Sequence, residues 1–398
     1  MSALPVVFLR PGREKSLLRR HPWVFSGAVD RIEGATVPGE TVLVCDSRGR
    51  KLALGAWSPE SQLTVRVWSF DAETSIDAEF FRGRIDAAAK LRETLGLGEL
   101  AGGCRLIFSE GDDLPGLIVD RYASVLAAQF LSAGVEYHRE AITAALAALP
   151  GVTGIFERSE VSVRRKEGLE PRRGVLWGEV PEHEVEIVED DMRFAVDIRH
   201  GQKTGFYFDL RDARRAVRSL AAGRRVLNCF AYTGGFAVAS LLGGAQSVLD
   251  LDSSAPALAQ GQRTLALNGI PADRGRNLCC DVFTELRKLT AEKCRFDLVI
   301  LDPPKLIESR SHLSAGCRAY QDLARLGFGL LEKGGVLCNF SCSGLMTPEL
   351  FQKITASAAF EAGKDARIVG RLFQAADHPV SLAAPESAYL KGLVSAIC

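Results

Sequence analysis

Two stretches of this chain end apolar runs in groups able to do chemistry. In RFDLVILDPPK the run Phe296 to Leu301 delivers Asp302, Pro303, Pro304 and Lys305; in VLCNFSCSG a second run delivers Cys342 amid Ser341, Ser343 and Gly344. Runs of this kind read as buried strands, and open α/β sheets hold ligands beyond the carboxyl ends of their strands. Asp302 and Cys342 are therefore expected to share one crevice. A cysteine in that place is a candidate nucleophile, because its thiolate adds well and leaves well, provided that Lys305 or nearby backbone N–H groups favour the ionised form. Lys305 reads equally well as a surface cation for RNA phosphate.

A third stretch points to a cofactor. The strand-like VLNCF runs into AYTGGFAVASLLGGA, where Gly234 and Gly235 let backbone approach a ligand at a helix N-terminus. The next strand ends in LDLDSS, and Asp252 lies 24 positions beyond Asn228, the spacing of an acid that holds a ribose hydroxyl pair. Asp281 closes a third strand, placed to meet an adenine amino group. Singly, such an aspartate is often a helix cap and a glycine pair a mere turn; their ordered occurrence ahead of DPPK says nucleoside cofactor. No GxGxxG is present, so a dinucleotide is the weaker reading and a cofactor without phosphate, such as S-adenosylmethionine, the better one.

These groups need a sheet to carry them. From Val185 two short strands, to Val188 and over Arg193 to Asp197, lead into alternating strand and helix signals, hence a doubly wound parallel sheet. Its strands are expected at Arg225 to Asn228, Ser247 to Leu251, Asn277 to Cys280, Phe296 to Leu301 and Val336 to Phe340. One helix is well marked: Ser253 and Ser254 can cap it, Pro256 suits its first turn, Leu258 and Leu265 face inward and Gly269 can close it. Cys229, Cys279, Cys294 and Cys338 are expected to be inert core. His378 is expected to cap a loop.

Upstream, β-like runs cover Pro5 to Leu9, Thr41 to Cys45, Leu52 to Trp57 and Leu63 to Trp68. Between the first two, Arg10, Arg13, Lys15, Arg19 and Arg20 sit close to His21, Trp23 and Phe25. The five basic residues lean toward RNA contact, and Trp23 and Phe25 toward core anchoring. A helix is expected over Ser75 to Leu95, capped by Ser75 or Asp77, with Phe80, Phe81, Ile85 and Leu91 inward, as a domain connector. A small α+β unit follows, with strands at Cys104 to Ser109, Gly116 to Asp120, Val125 to Leu131 and Gly154 to Glu157 around a helix from Val135 to Leu149. The charged loop Arg158 to Arg173 reads as mobile and solvated.

Composition bounds these readings. The 398 residues favour two or three domains, and 47% hydrophobic with 25% charged residues exclude disorder and fibrous repeats. Charges balance at 49 against 49, which argues against wholesale coating of nucleic acid. Ten cysteines show no CxxC pair or zinc spacing, so no metal is expected. With no apolar run of membrane length and too short an apolar stretch for a signal peptide, no membrane partner and a cytoplasmic location with reduced thiols are expected.

End to end the chain resembles the bacterial 23S ribosomal RNA cytosine-5 methyltransferases of PUA, EEHEE and Rossmann-like architecture, the large-subunit methyltransferase I type. The likeness rests on LLRRHPWVFSGAV, FSEGDDLPGLIVDRY, HGQKTGFYFDLRDAR, CFAYTGGFAV, DPPK, FSCSG, QAADHPV and YLKG. It implies a multidomain α/β protein: a β-rich PUA-like RNA-binding domain over 1–72, a connector helix and EEHEE α+β domain over 73–188, and a Rossmann-like S-adenosylmethionine-dependent methyltransferase domain over 189–398. It further implies that Gln202, Lys203, Thr204, Phe206 and Asp209 lie near the cofactor with Tyr232, Thr233, Gly234, Asp252, Asp281 and Asp302, and that Cys342 is the catalytic cysteine. The implied partner is 23S ribosomal RNA, naked or in an assembling large subunit, with a homodimer allowed. Many RNA cytosine-5 methyltransferases carry a second cysteine directly after DPP for product release; here that position is Lys305, so the proton acceptor stays unassigned. Two other readings stay open: methylation of an exocyclic base amine, and an RNA-binding ribosome-assembly factor whose fold binds without catalysis.

Overall fold

The computed structural model describes residues 4–99 and 101–398. Its chain contacts divide into two compact units, one of residues 1–187, 196–208 and 376–387, the other of 188–195, 209–375 and 388–398. Strands Val185–Glu189 and Met192–Val196 form a two-stranded ladder where the chain passes from one to the other.

The first unit contains two sheets. The N-terminal one has six strands in the order Trp23–Val24, Val65–Ser69, Lys51–Trp57, Thr41–Cys45, Val6–Leu9, Val29–Glu33, over a core of Val7, Leu9, Val42, Val44 and Val65. Phe25, expected in that core, is 52% exposed, because the strand ends at Val24 and the chain turns outward; Trp23 is half-buried and donates its indole N–H to Glu110 at 2.8 Å. The second sheet is Gly103–Phe108, Leu117–Tyr122, Val125–Phe130, Gly154–Ser159 and Arg172–Gly178, each bonded to its sequence neighbour. Its helical segment breaks at His138 into Ala133–Tyr137 and Arg139–Ala147.

The helix expected from Ser75 runs Ala78–Thr94, with the Asp77 carboxylate accepting from the Phe80 N–H at 3.0 Å. It is more than a connector, since Phe81 and Ile85 are fully buried in the core shared with Trp68, Leu106 and Leu126. Leu91 instead lies on its outer face at 37% exposure.

The loop read as mobile is a second correction. Residues Ser162–Glu167 form a 3-10 turn, and Arg164 and Glu167 are 1% and 2% exposed. Arg164 donates to the Phe130 and Glu170 carbonyls and the Glu136 carboxylate, while Glu167 takes a bidentate bond from Arg66 at 3.0 and 2.8 Å. Buried charges survive only when paired in this way, and the pairing that turns a charged run into core comes from distant residues. His378 lies in a loop, is 2% exposed, packs 4.9 Å from the Phe108 ring and meets Asp377 at 2.8 Å.

The second unit is a seven-stranded sheet in the order Gly275–Cys279, Ser247–Asp252, Arg225–Cys229, Phe296–Leu301, Leu331–Ser341, Lys391–Ile397, Ala366–Phe373. The first five run parallel, Lys391–Ile397 runs antiparallel to both of its neighbours, and Ala366–Phe373 again points with the first five. Chain order reverses between Arg225–Cys229 and Phe296–Leu301, so a ligand crevice belongs at the carboxyl ends of those two strands. All five expected parallel strands form; the antiparallel pair went unread. The marked helix runs Ala255–Leu267 with Ser254 capping the Ala257 N–H, Leu258 and Leu265 buried and Gly269 at φ +67°. Cys229 and Cys338 are buried as expected, and burial pushes the Cys338 thiol up to about 12. Cys294 is partly buried, whereas Cys279 is exposed because its strand is the sheet edge.

Candidate active site

The glycine turn begins where Arg225–Cys229 ends. Within five residues Phe230, Tyr232 and Gly234 take φ values of +61°, +50° and +74°. Only glycine adopts that region without cost; the other two store on the order of 1 kcal/mol each, which neighbours must hold in place. They are held by the Ala231 N–H on the Leu251 carbonyl at 3.1 Å and by the Tyr232 N–H on Asp252 at 2.9 Å. The second Asp252 oxygen accepts the Ser254 N–H at 2.8 Å. Asp252 thus ties the turn to the next helix at the tip of its strand, and Gly234 opens the helix Gly235–Leu242.

Beneath this turn lies a group that strand patterning left unnoticed. Asp250 is fully buried and accepts from the Asn228 side-chain amide at 2.8 Å. Burial pushes its carboxyl up to about 7, against the Asn228 hydrogen bond and with help from Asp252. A folded-state value above the unfolded one means that the folded protein keeps a proton the unfolded chain has lost, so stability falls as pH rises from about 4 to about 7. Asp250→Asn removes that dependence. The variant should gain roughly 2–4 kcal/mol on the wild type between pH 5 and pH 8, read as a melting-temperature difference that widens with pH. A difference that stays flat over that range would contradict the assignment.

Asp281 caps the helix Val282–Ala291, one carboxylate oxygen accepting from the Thr284 N–H at 2.8 Å and its hydroxyl at 2.7 Å, which holds the carboxyl below the usual range. The cap uses one oxygen and leaves the side chain exposed at its strand end. Asp302 follows Leu301, which is in register with Asn339 of the neighbouring parallel strand, and its N–H reaches the Cys229 carbonyl at 3.4 Å. Lys305 is exposed.

Cys342 stands one residue past the Leu331–Ser341 strand, partly buried, with Ser341 and Ser343 fully buried on either side. Asp302 and Cys342 therefore follow the carboxyl ends of adjacent parallel strands, on the same side of the sheet. Two groups that went unread clamp the cysteine loop. The Tyr320 hydroxyl meets the Ser343 hydroxyl at 3.1 Å, and the Lys391 ammonium donates to the Ser343 and Met346 carbonyls at 2.6 and 2.8 Å. Lys391 lies in YLKG and Tyr320 in GCRAYQD, but nothing local tied either to a role.

Gln202, Lys203, Thr204 and Phe206 belong to the first unit. There the Thr204 hydroxyl donates to the fully buried Asp120, the Tyr122 hydroxyl donates to Thr204 at 3.3 Å, and the Phe206 N–H donates to the Tyr122 oxygen at 3.1 Å. Asp120 also takes a bidentate bond from Arg105 at 2.6 and 3.0 Å. The Tyr207 hydroxyl donates to Gln202 at 2.8 Å, and the Lys203 ammonium lies 4.3 Å from the Tyr207 ring centre. Asp209, in the second unit, accepts the Tyr389 hydroxyl at 2.5 Å. Arg10, Arg13, Lys15, Arg19 and Arg20 are all exposed, and among the described residues none has a carboxylate within ion-pair distance; Arg10 donates to the Val29 carbonyl, and Arg20 stacks 5.4 Å from Phe70.

The donor set at the strand ends fits a nucleoside without phosphate: carboxylates Asp252 and Asp281 are present, and the turn Phe230 to Gly235 carries no lysine or arginine. Among the described residues no cluster of His, Cys, Asp and Glu could hold a metal, and no helix is long and apolar enough to cross a membrane.

Residues 162–392 match the family of S-adenosylmethionine-dependent methyltransferases, and residues 7–70 match the PUA-like domain. The chain is 50% identical over 386 residues to ribosomal RNA large subunit methyltransferase I of Erwinia tasmaniensis, covering 97% of this chain and 98% of that one. It is 49% identical over 388 residues to the protein of the same name in Aeromonas salmonicida, covering 98% of each. Among solved structures, a candidate SAM-dependent methyltransferase from Streptococcus mutans superposes with a TM-score of 0.84 over 98% of this chain and 99% of its own, at 21% identity. A candidate methyltransferase solved with S-adenosylhomocysteine bound gives 0.83 at 22% identity, over the same shares of the two chains. Both show the same fold.

Proposed function

Since the chain belongs to the S-adenosylmethionine-dependent methyltransferases, among the ribosomal RNA large subunit methyltransferase I proteins, we propose that it methylates carbon 5 of a cytosine in 23S ribosomal RNA through a covalent bond from Cys342 to carbon 6. The observation that carries this reading is the cysteine itself, held at a strand end beside Asp302 on the ligand side of the sheet. Carbon 5 of cytosine is too weak a nucleophile to be methylated directly. Addition of the Cys342 thiolate to carbon 6 gives carbon 5 enamine character, so it can attack an electrophilic methyl. S-adenosylmethionine, when bound, supplies that methyl on its sulfonium.

The chain's own residues do the rest. Asp302, protonated, donates to the N3 edge of the base and favours addition. Once carbon 5 carries the methyl, its proton leaves to a base and the carbon 6–sulfur bond breaks, returning Cys342. Tyr232, Thr233, Gly234, Asp252 and Asp281 hold the nucleoside, with Asp209; the family likeness adds Gln202, Lys203, Thr204 and Phe206 to the cofactor-binding residues. Lys305, exposed beyond Asp302, steers RNA phosphate. The proposal keeps three modules, with boundaries near residues 72 and 188, a cytoplasmic location, and a homodimer as an allowed assembly.

The test is to incubate the protein with radiolabelled S-adenosylmethionine and large-subunit ribosomal RNA lacking the modification, then digest and identify the labelled nucleoside. 5-Methylcytidine is expected. An N-methylated base would replace the cytosine reading with methylation of an exocyclic amine, and absence of label would leave an RNA-binding assembly factor.

RNA contact by the N-terminal module has its own readout. Neutralising Arg13, Lys15 and Arg19 together, each by alanine, should weaken RNA binding and flatten the slope of log affinity against log salt by roughly 2, at about 0.7 per phosphate contact on single strands. An unchanged slope would remove this face from the interface.

A further inference from the structure

Lys391 is a buried cation whose nearest partners are carbonyls rather than carboxylates. Its residue is 6% exposed, and among the described residues no carboxylate lies within ion-pair distance of its ammonium. Leaving an ammonium unpaired at such a site is costly unless the surroundings supply negative potential. Two carbonyls contribute, those of Ser343 and Met346, both just after the cysteine. The backbone sets this up: Lys391 opens the last strand, directly opposite Ser341 in the antiparallel ladder, so its side chain enters the turn that Cys342 begins. The titratable groups at this turn include Cys342, Asp302 at the end of the neighbouring strand and, from the helix Leu313–Gly329, Tyr320, whose buried hydroxyl is pushed up mainly by burial.

We propose that Lys391 is the positioning residue for Cys342: two of its N–H bonds fix the loop carbonyls, and its ammonium charge stabilises the cysteine as thiolate. This rests on the reading of Cys342 as nucleophile and assigns to Lys391 the role that DPPK had suggested for Lys305. The electrostatics agree in sign. Burial pulls the Lys391 ammonium down to about 8, and Cys342 is the charge that pushes it back up. Interaction between the two is mutual, so whatever the thiolate does for the ammonium, the ammonium does for the thiolate.

The experiment is alkylation of the full chain by iodoacetamide from pH 6 to pH 10, without cofactor or RNA, with Cys342 followed by peptide mass spectrometry and exposed Cys398 as the internal reference. In the wild type Cys342 should be half-alkylated at lower pH than Cys398. In Lys391→Gln the half-point should rise by about one unit, about a tenfold slower reaction at pH 7, and Lys391→Arg should restore most of it. A half-point unmoved by Lys391→Gln overturns the proposal. Should that variant fail to fold, a wild-type Cys342 no more reactive than Cys398 overturns it as well. Because no methyl transfer is involved, the two failures are distinguishable: a labelled nucleoside other than 5-methylcytidine sinks the cytosine reading, whereas an unmoved Cys342 half-point sinks the coupling to Lys391.

Discussion

Cys342→Ala is expected to lower methyl transfer by at least about 10⁴-fold while leaving cofactor affinity within about twofold. The size follows from the chemistry: without a nucleophile at carbon 6 there is no enamine, and no arrangement of donors makes carbon 5 of cytosine reactive enough alone. The small effect on binding follows from the fold. The glycine turn, Asp252 and Asp281 belong to the first three strands in chain order, Cys342 to the fifth, and no described hydrogen bond of Asp252 or Asp281 passes through the cysteine. Single-turnover transfer measures the first quantity and equilibrium dialysis with S-adenosylhomocysteine the second. Cys342→Ser should sit near the alanine variant, since a hydroxyl is hardly ionised at neutral pH. Turnover retained in Cys342→Ala would sink the nucleophile assignment.

Asp120→Ala is expected to destabilise the first unit by about 3–5 kcal/mol. Asp120 is fully buried and accepts two bonds from Arg105 and one from the Thr204 hydroxyl. Its removal takes two charged acceptor bonds from a guanidinium that is 9% exposed and takes the acceptor from the pair that holds Thr204 and the Phe206 backbone. Breaking one side of a buried pair is what costs so much; removing both charges costs less. The double variant Arg105→Met, Asp120→Leu should therefore melt higher than either single one, a non-additivity of the kind that neighbouring groups show. Thermal denaturation of the four proteins measures it. If Gln202 to Phe206 bind the cofactor, Asp120→Ala at a temperature where it remains folded should also raise the KM for S-adenosylmethionine. A melting temperature within a degree of wild type would show that Arg105 is compensated elsewhere.

Much of the site was legible because its signals are local. A strand that ends in Asp302 or Cys342 is an apolar run stopping at a polar residue, the glycine turn needs a left-handed residue at Gly234, and the Ala255–Leu267 helix carries its own cap and first-turn proline. Each depends on residues a few positions apart, so composition and order suffice to place them. The five parallel strands followed for the same reason, being near-continuous apolar runs buried on both faces.

Burial and pairing between distant residues followed no local rule. Phe25 and Leu91 read as core and are exposed, while Arg164 and Glu167 read as solvated and are buried, because what covers or pairs with a side chain arrives from elsewhere in the chain. Cys279 met the same fate at a sheet edge. The sequence by itself determined which residues, Asp252, Asp281, Asp302 and Cys342, stand at the carboxyl ends of its parallel strands. Only the tertiary structure decided what surrounds Cys342. An antiparallel strand too weakly patterned to be read brings Lys391 opposite Ser341, and a long helix brings Tyr320 against Ser343. Strand register and helix packing set those meetings, and both are properties of the assembled core.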